Sequence, residues 1–186
     1  MGHPDLRHHA AVGVELETDE SGYLVDPAMR NAMREMGGNG QVEILEALAA
    51  LRLAAKQMHD AMERYAESQG LSESRLRVLW SLYSASGRQM PLGALADHIN
   101  VTPRTMTDII DVLERDGLVK RVPDPVDRRS IQAVMTESGI SRIEAMRSDA
   151  LSKQAGIARG FTPEQLVQLR HLCLLLVRNL SDKVGA

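Results

Sequence analysis

The chain has 186 residues, 44% hydrophobic and 25% charged, with a net charge of −3, which admits one domain with an appendage and disfavours a disordered chain. One cysteine, Cys173, excludes an internal disulfide and fits a reducing compartment. The low aromatic content, 3%, leaves the core to Leu, Ile, Val, Met and Ala, as suits helices packed on helices.

No apolar run reaches about 18 residues, so no membrane span is expected. The first ten residues, MGHPDLRHHA, are too polar for a secretory signal, and the expected location is the cytoplasm. Charge is uneven. Residues 1–40 hold seven acids and three bases, net −4, leaving +1 for the rest, and residues 115–136 carry +2.

Residues 1–25 show no clear period and read as a flexible arm. Asp26 and Pro27 then open a short helix over 27–36, with Met29, Ala32, Met33 and Met36 on one face, stopped by Gly37-Gly38-Asn39-Gly40. A long helix is expected over 41–69 and a second after Ser72, its inward face Leu76, Leu79, Trp80 and Tyr83. A short helix covers Leu92 to Ile99. Residues 103–116 are the best-specified helix: Thr102 is its N-cap, Pro103 its first residue, Val101 and Met106 a hydrophobic staple, and Gly117 its stop.

Two strands, 118–122 and 130–135, flank the polar loop DPVDRR. Thr136 caps a helix to about 159, and Thr162-Pro163-Glu164-Gln165 is a capping box for the last one. That helix carries Leu166, Leu169, Cys173, Leu176 and Leu180 on one stripe and is apolar almost all round, so it should be buried. Self-association along Leu169, Leu172, Cys173, Leu176 and Leu180 would bury it.

The expected fold is mainly α with a small β-hairpin wing: a winged helix-turn-helix at 71–136, a helical dimerisation region at 41–70 and 137–182, and an arm at 1–40. Such a unit puts one helix in the DNA major groove. A twofold dimer would address a palindrome.

The helix TPRTMTDIIDVLERDGLV, the wing DPVDRRS with its D-x-R at Asp127-Arg128-Arg129, and the strand end Met135-Thr136 resemble the MarR family of bacterial transcription factors (multiple antibiotic resistance regulators). The resemblance covers roughly residues 41–182. It implies an obligate homodimer that represses nearby genes, often released from DNA by a small aromatic or phenolic ligand held between the dimerisation helices and the reading module. It assigns DNA reading to Thr102, Arg104, Thr105, Thr107 and Asp108 on helix 103–116. Wing 123–130 would contribute Arg128 at the backbone and Arg129 in the minor groove. It pairs Arg129 with Asp111. Asp127 is expected to orient the wing, because an acid facing phosphate would be repelled. Asp108 and Val112 depart from positions often basic in the family, and the first 40 residues have no counterpart there.

Each role has a plainer rival. Arg129 could be a solvated turn arginine, Thr102 only a cap, and Asp111 a surface ion-pair partner of little energetic value. Met58, Met62, Trp80 and Tyr83 are candidates for a small-molecule cleft, and core packing is the alternative. Cys173 lies on an apolar seam and reads as a core thiol rather than an oxidant sensor. The histidines show no ligand spacing, so neither a metal nor another cofactor is expected. With no phosphate loop, metal triad or nucleophile elbow, the chain does not read as an enzyme. The rival to DNA binding is a winged helix used for protein contacts.

Overall fold

Asp19 organises the turn near the start of the described residues: its carboxylate accepts the backbone N–H groups of Ser21 and Tyr23, both at 3.0 Å. This closes a two-residue-per-strand hairpin, β1 (Glu17–Thr18) on β2 (Leu24–Val25). The segment expected as irregular arm therefore contains paired strands. They are too short to show a period, and the turn between them combines the Asp19 carboxylate with Gly22 in the left-handed conformation (φ 83). The computed structural model describes residues 15–37, 41–124 and 130–184, in two units, 1–73 and 74–186.

In the first unit Asp26 caps α1 (Pro27–Gly37), accepting the Met29 N–H at 3.0 Å. Arg30 joins α1 to α2 (Val42–Ser68) through Glu46 at 2.7 Å, and lies 3.7 Å from Asp19 of the hairpin. Both carboxylates hold the Arg30 guanidinium firmly protonated, Glu46 first and against some desolvation.

The second unit runs from the body of α3 (Glu73–Ser84) through β3 (Gln89–Pro91), α4 (Leu92–Ile99), α5 (Pro103–Arg115), β4 (Val119–Pro123), β5 (Ile131–Met135), α6 (Glu137–Ile157) and α7 (Pro163–Val184). Its core is Leu76, Leu79 and Leu82 of α3, Leu95 and Ile99 of α4, Met106, Ile110 and Leu113 of α5, Val119 of β4 and Ile143 of α6, all essentially inaccessible to water. The 3-4 spacing on α5 puts Met106, Ile109, Ile110 and Leu113 on one buried stripe and leaves the opposite face to solvent.

The sheet has three antiparallel strands in the order β3-β5-β4, one more than expected. Pro91 and Pro123, which lack an N–H, fall on the two edge strands. Beyond Pro123 the ladder continues with Asp124 N–H to Ser130 O at 3.0 Å, and Gln132 Nε2 donates to the Asp124 carboxylate at 2.7 Å.

Two backbone devices set the corners of the α4–α5–β4 unit. Between α4 and α5, Asn100 takes the left-handed conformation (φ 57), and Val101 N–H returns to Ala96 O at 3.0 Å. After α5, Gly117 (φ 71) ends the helix, and Leu118 N–H reaches Leu113 O at 2.9 Å. The next corner locks onto this one. Thr136 donates its N–H to Leu118 O and its hydroxyl to Gly117 O, while capping α6 through the Gly139 N–H. Gly139 sits so close that a Cβ there would stand 2.2 Å from Leu118 O.

The expectation that α7 is buried does not hold in the single chain. Leu166, Leu169, Leu172, Leu174, Val177 and Leu180 are 40–65% exposed, and Cys173 is a half-buried free thiol rather than a core one. Among the described residues no helix is long and apolar enough to cross a membrane.

Candidate nucleic-acid interface

The site begins at the capped end of α5. Thr102 accepts the Thr105 N–H at 3.1 Å, the expected N-cap. The Thr102 and Thr105 hydroxyls also hydrogen-bond each other at 2.8 Å, and the Thr107 hydroxyl donates to Pro103 O at 3.0 Å. Thr102, Arg104, Thr105, Thr107 and Asp108 all face solvent. Since the threonine hydroxyls are engaged within the helix, Thr107 offers outward a lone pair and a methyl group. Arg104 offers a planar donor fork. The face thus presents donors, a lone pair and a methyl group to solvent, with one acid, Asp108, set among them.

Behind this face, α5 is clamped to β4 by Arg121. One terminal nitrogen of its guanidinium donates to Asp111 and also to Thr107 O at 3.2 Å; the other donates to Glu114 at 2.6 Å. The Arg121 backbone N–H adds a bond to Glu114 at 2.8 Å. That N–H, followed by the guanidinium, holds the Glu114 carboxyl below the usual glutamate range against partial desolvation. Asp111 thus has its partner on the stem of the wing. The expected pairing of Asp111 with Arg129, and the roles of Asp127, Arg128 and Arg129, lie outside the described residues.

Arg121 was missed in the sequence, where it counted only as charge. The signal was Asp111 and Glu114, three residues apart on one helical face and in need of a cation. Only the register of β4 on β5, with Arg121 opposite Ala133, brings that cation to them.

The second unit also holds an open pocket of about 440 Å³ lined by Trp80, Ser81, Ser84, Ala85, Met90 and His98. Trp80 meets Tyr83 edge to face at 6.0 Å, and Arg88 stacks 3.7 Å over the Tyr83 ring. Of the proposed cleft residues, Trp80 lines this pocket and Tyr83 braces it. Met58 and Met62 belong to α2 of the first unit, Met58 exposed and Met62 half-buried.

A solvent-facing helix following a helix and a left-handed turn, with a three-stranded sheet behind it, defines a winged helix-turn-helix. The family model for the MarR family matches residues 71–131. The HTH-type transcriptional repressor YetL of Bacillus subtilis is 32% identical over 121 residues, 65% of this chain and 72% of that protein. The transcriptional activatory protein BadR of Rhodopseudomonas palustris is 30% identical over 129 residues, 68% of this chain and 74% of its own. The fold matches Sco3205, a MarR family transcriptional regulator from Streptomyces coelicolor solved in complex with DNA. The TM-score is 0.65 at 24% identity, over 73% of this chain and 87% of that one. The chain belongs to the MarR family, whose matched members are transcriptional regulators.

Proposed function

We propose that this chain is a homodimeric transcriptional repressor that reads a palindromic operator with α5 and with wing 123–130, and that a small aromatic or phenolic ligand releases it. The observation that carries the reading is the outward face of α5: Arg104, Thr105 and Thr107 at the helix end that meets bases in this motif, held to the wing stem by Arg121. YetL is described as a repressor and Sco3205 was solved on DNA, which supports the same role here.

Arg104 is the residue for a guanine, through a bidentate fork to O6 and N7. Thr107 accepts from an exocyclic amine or packs its methyl on thymine. Arg129 enters the minor groove, where narrow A·T tracts concentrate negative potential. Asp108 repels phosphate and lowers non-specific affinity. The exposed leucines of α7 support dimerisation, and the Trp80 pocket supports an aromatic ligand.

Selection of duplexes from a random pool by the purified chain tests the whole reading. An enriched inverted repeat with half-sites about one DNA turn apart, competed by simple aromatic acids, is the expected result. A pool that never enriches contradicts it and favours the protein-contact alternative.

A further inference from the structure

On α2, His59 and Glu63 stand four residues apart and share a helical face. The chain then turns back through Gly70 (φ 69), with Leu71 N–H to Ala66 O at 3.0 Å. Glu73, the first residue of α3, returns to that face. His59 Nδ1 lies 2.8 Å from a Glu73 carboxylate oxygen, and one ligand atom from each of His59, Glu63 and Glu73 falls within 4.8 Å of the other two. The Glu73 side chain is 14% exposed and that of His59 is 63% exposed, so the cluster is anchored on one side and open on the other. Among the described residues neither glutamate forms an ion pair with a lysine or arginine. Among the described residues, two carboxylates and an imidazole thus converge with no lysine or arginine paired to the carboxylates.

We propose that His59, Glu63 and Glu73 bind one divalent transition-metal cation of the zinc class. One imidazole nitrogen and two carboxylates form a donor set suited to such ions rather than to Mg²⁺ or Ca²⁺, which favour oxygen alone. Donors at about 2.0–2.2 Å from one zinc stand roughly 3–3.5 Å apart, a span that rotation of the three side chains closes from the present separations. The ion takes the place of the proton between His59 and Glu73, and water completes its coordination. It ties the second half of α2 to the start of α3 across the turn at Gly70. No metal site was expected from the sequence because the third donor comes ten residues after the second, in no recognised spacing.

Calorimetric titration of zinc into the full chain tests this. A variant with His3, His8 and His9 all replaced by alanine is run beside it, because those residues offer competing nitrogens. One site per chain is expected, retained in the arm variant. In His59→Ala and Glu73→Gln it should weaken by about tenfold to a hundredfold, at least the loss that follows removal of a ligand's supporting shell. Cobalt should give a visible absorption band that disappears in the same two variants. Circular dichroism of His59→Ala, an exposed position, checks that the fold survives. Absence of stoichiometric binding by the wild type, binding unchanged in a folded His59→Ala, or binding lost with the arm histidines would each overturn the proposal.

Discussion

Arg121 sits where β4 passes α5, and its bonds to Asp111, Glu114 and Thr107 O fix the rotation of α5 relative to β4. Arg121→Gln should weaken operator binding while leaving the outward face of α5 chemically intact. It should also change the response to acid. Glu114 is ionised more readily in the folded chain, so its contribution is complete above the unfolded value of about 4.3 and is lost as pH falls through the lower folded value. The gap in thermal stability between wild type and Arg121→Gln should therefore be widest at neutral pH and narrow below pH of about 4, as melts at two pH values would reveal. A gap independent of pH would mean that the guanidinium acts there by packing alone. Arg104 makes a different prediction: Arg104→Ala should cost about 1–3 kcal/mol at a single guanine position and relax sequence preference there. Uniform weakening across sequences would instead mark Arg104 as a phosphate contact.

At the scale of elements, the legible parts of the sequence were those whose causes are local. Thr102, Thr136 and Thr162 announce helix starts because the capped N–H lies three residues on. All three caps form, the last as a reciprocal pair with Gln165. β3 was not legible: three residues cannot show a period, and it becomes a strand only through Gln89, Met90 and Pro91 pairing with β5 more than forty residues away. The Leu118–Gly139 corner was equally hidden, because Gly139 reads as a helix defect until its neighbour is known. Gly139→Ala forces a methyl onto a backbone oxygen 2.2 Å away. The expected loss is roughly 1–3 kcal/mol, or more if the corner cannot relax, at about 2–4 °C of Tm per kcal/mol. An unchanged melting temperature would show that the α6 corner is looser than its geometry.

For the whole molecule, α7 raises the largest energetic question. Its leucines cover its circumference, yet Leu172, Leu174, Val177 and Leu180 are more than half exposed in one chain. The spacing marked an apolar helix, and the expectation that it is buried does not hold in one chain. If a second copy does, Leu172→Glu should shift the chain from dimer to monomer in sedimentation equilibrium. It should also reduce apparent operator affinity by about tenfold or more, some 1.4 kcal/mol, since one reading helix then acts alone. A wild type that sediments as a monomer at micromolar concentration would remove the dimer from the proposal.

The most direct test of the central claim, that α5 and the wing read DNA, is anisotropy of a labelled duplex from the region upstream of the chain's own gene, titrated across a salt series. Wild type, Arg104→Ala and Arg129→Ala should be compared. Tight binding by the wild type is predicted, with log affinity falling steeply against log salt, roughly 0.9 per phosphate neutralised. Both variants should bind more weakly, with a shallower slope for Arg129→Ala if it also neutralises phosphate charge. Weak binding that ignores salt and both arginines would contradict the claim and turn the winged helix toward a protein partner.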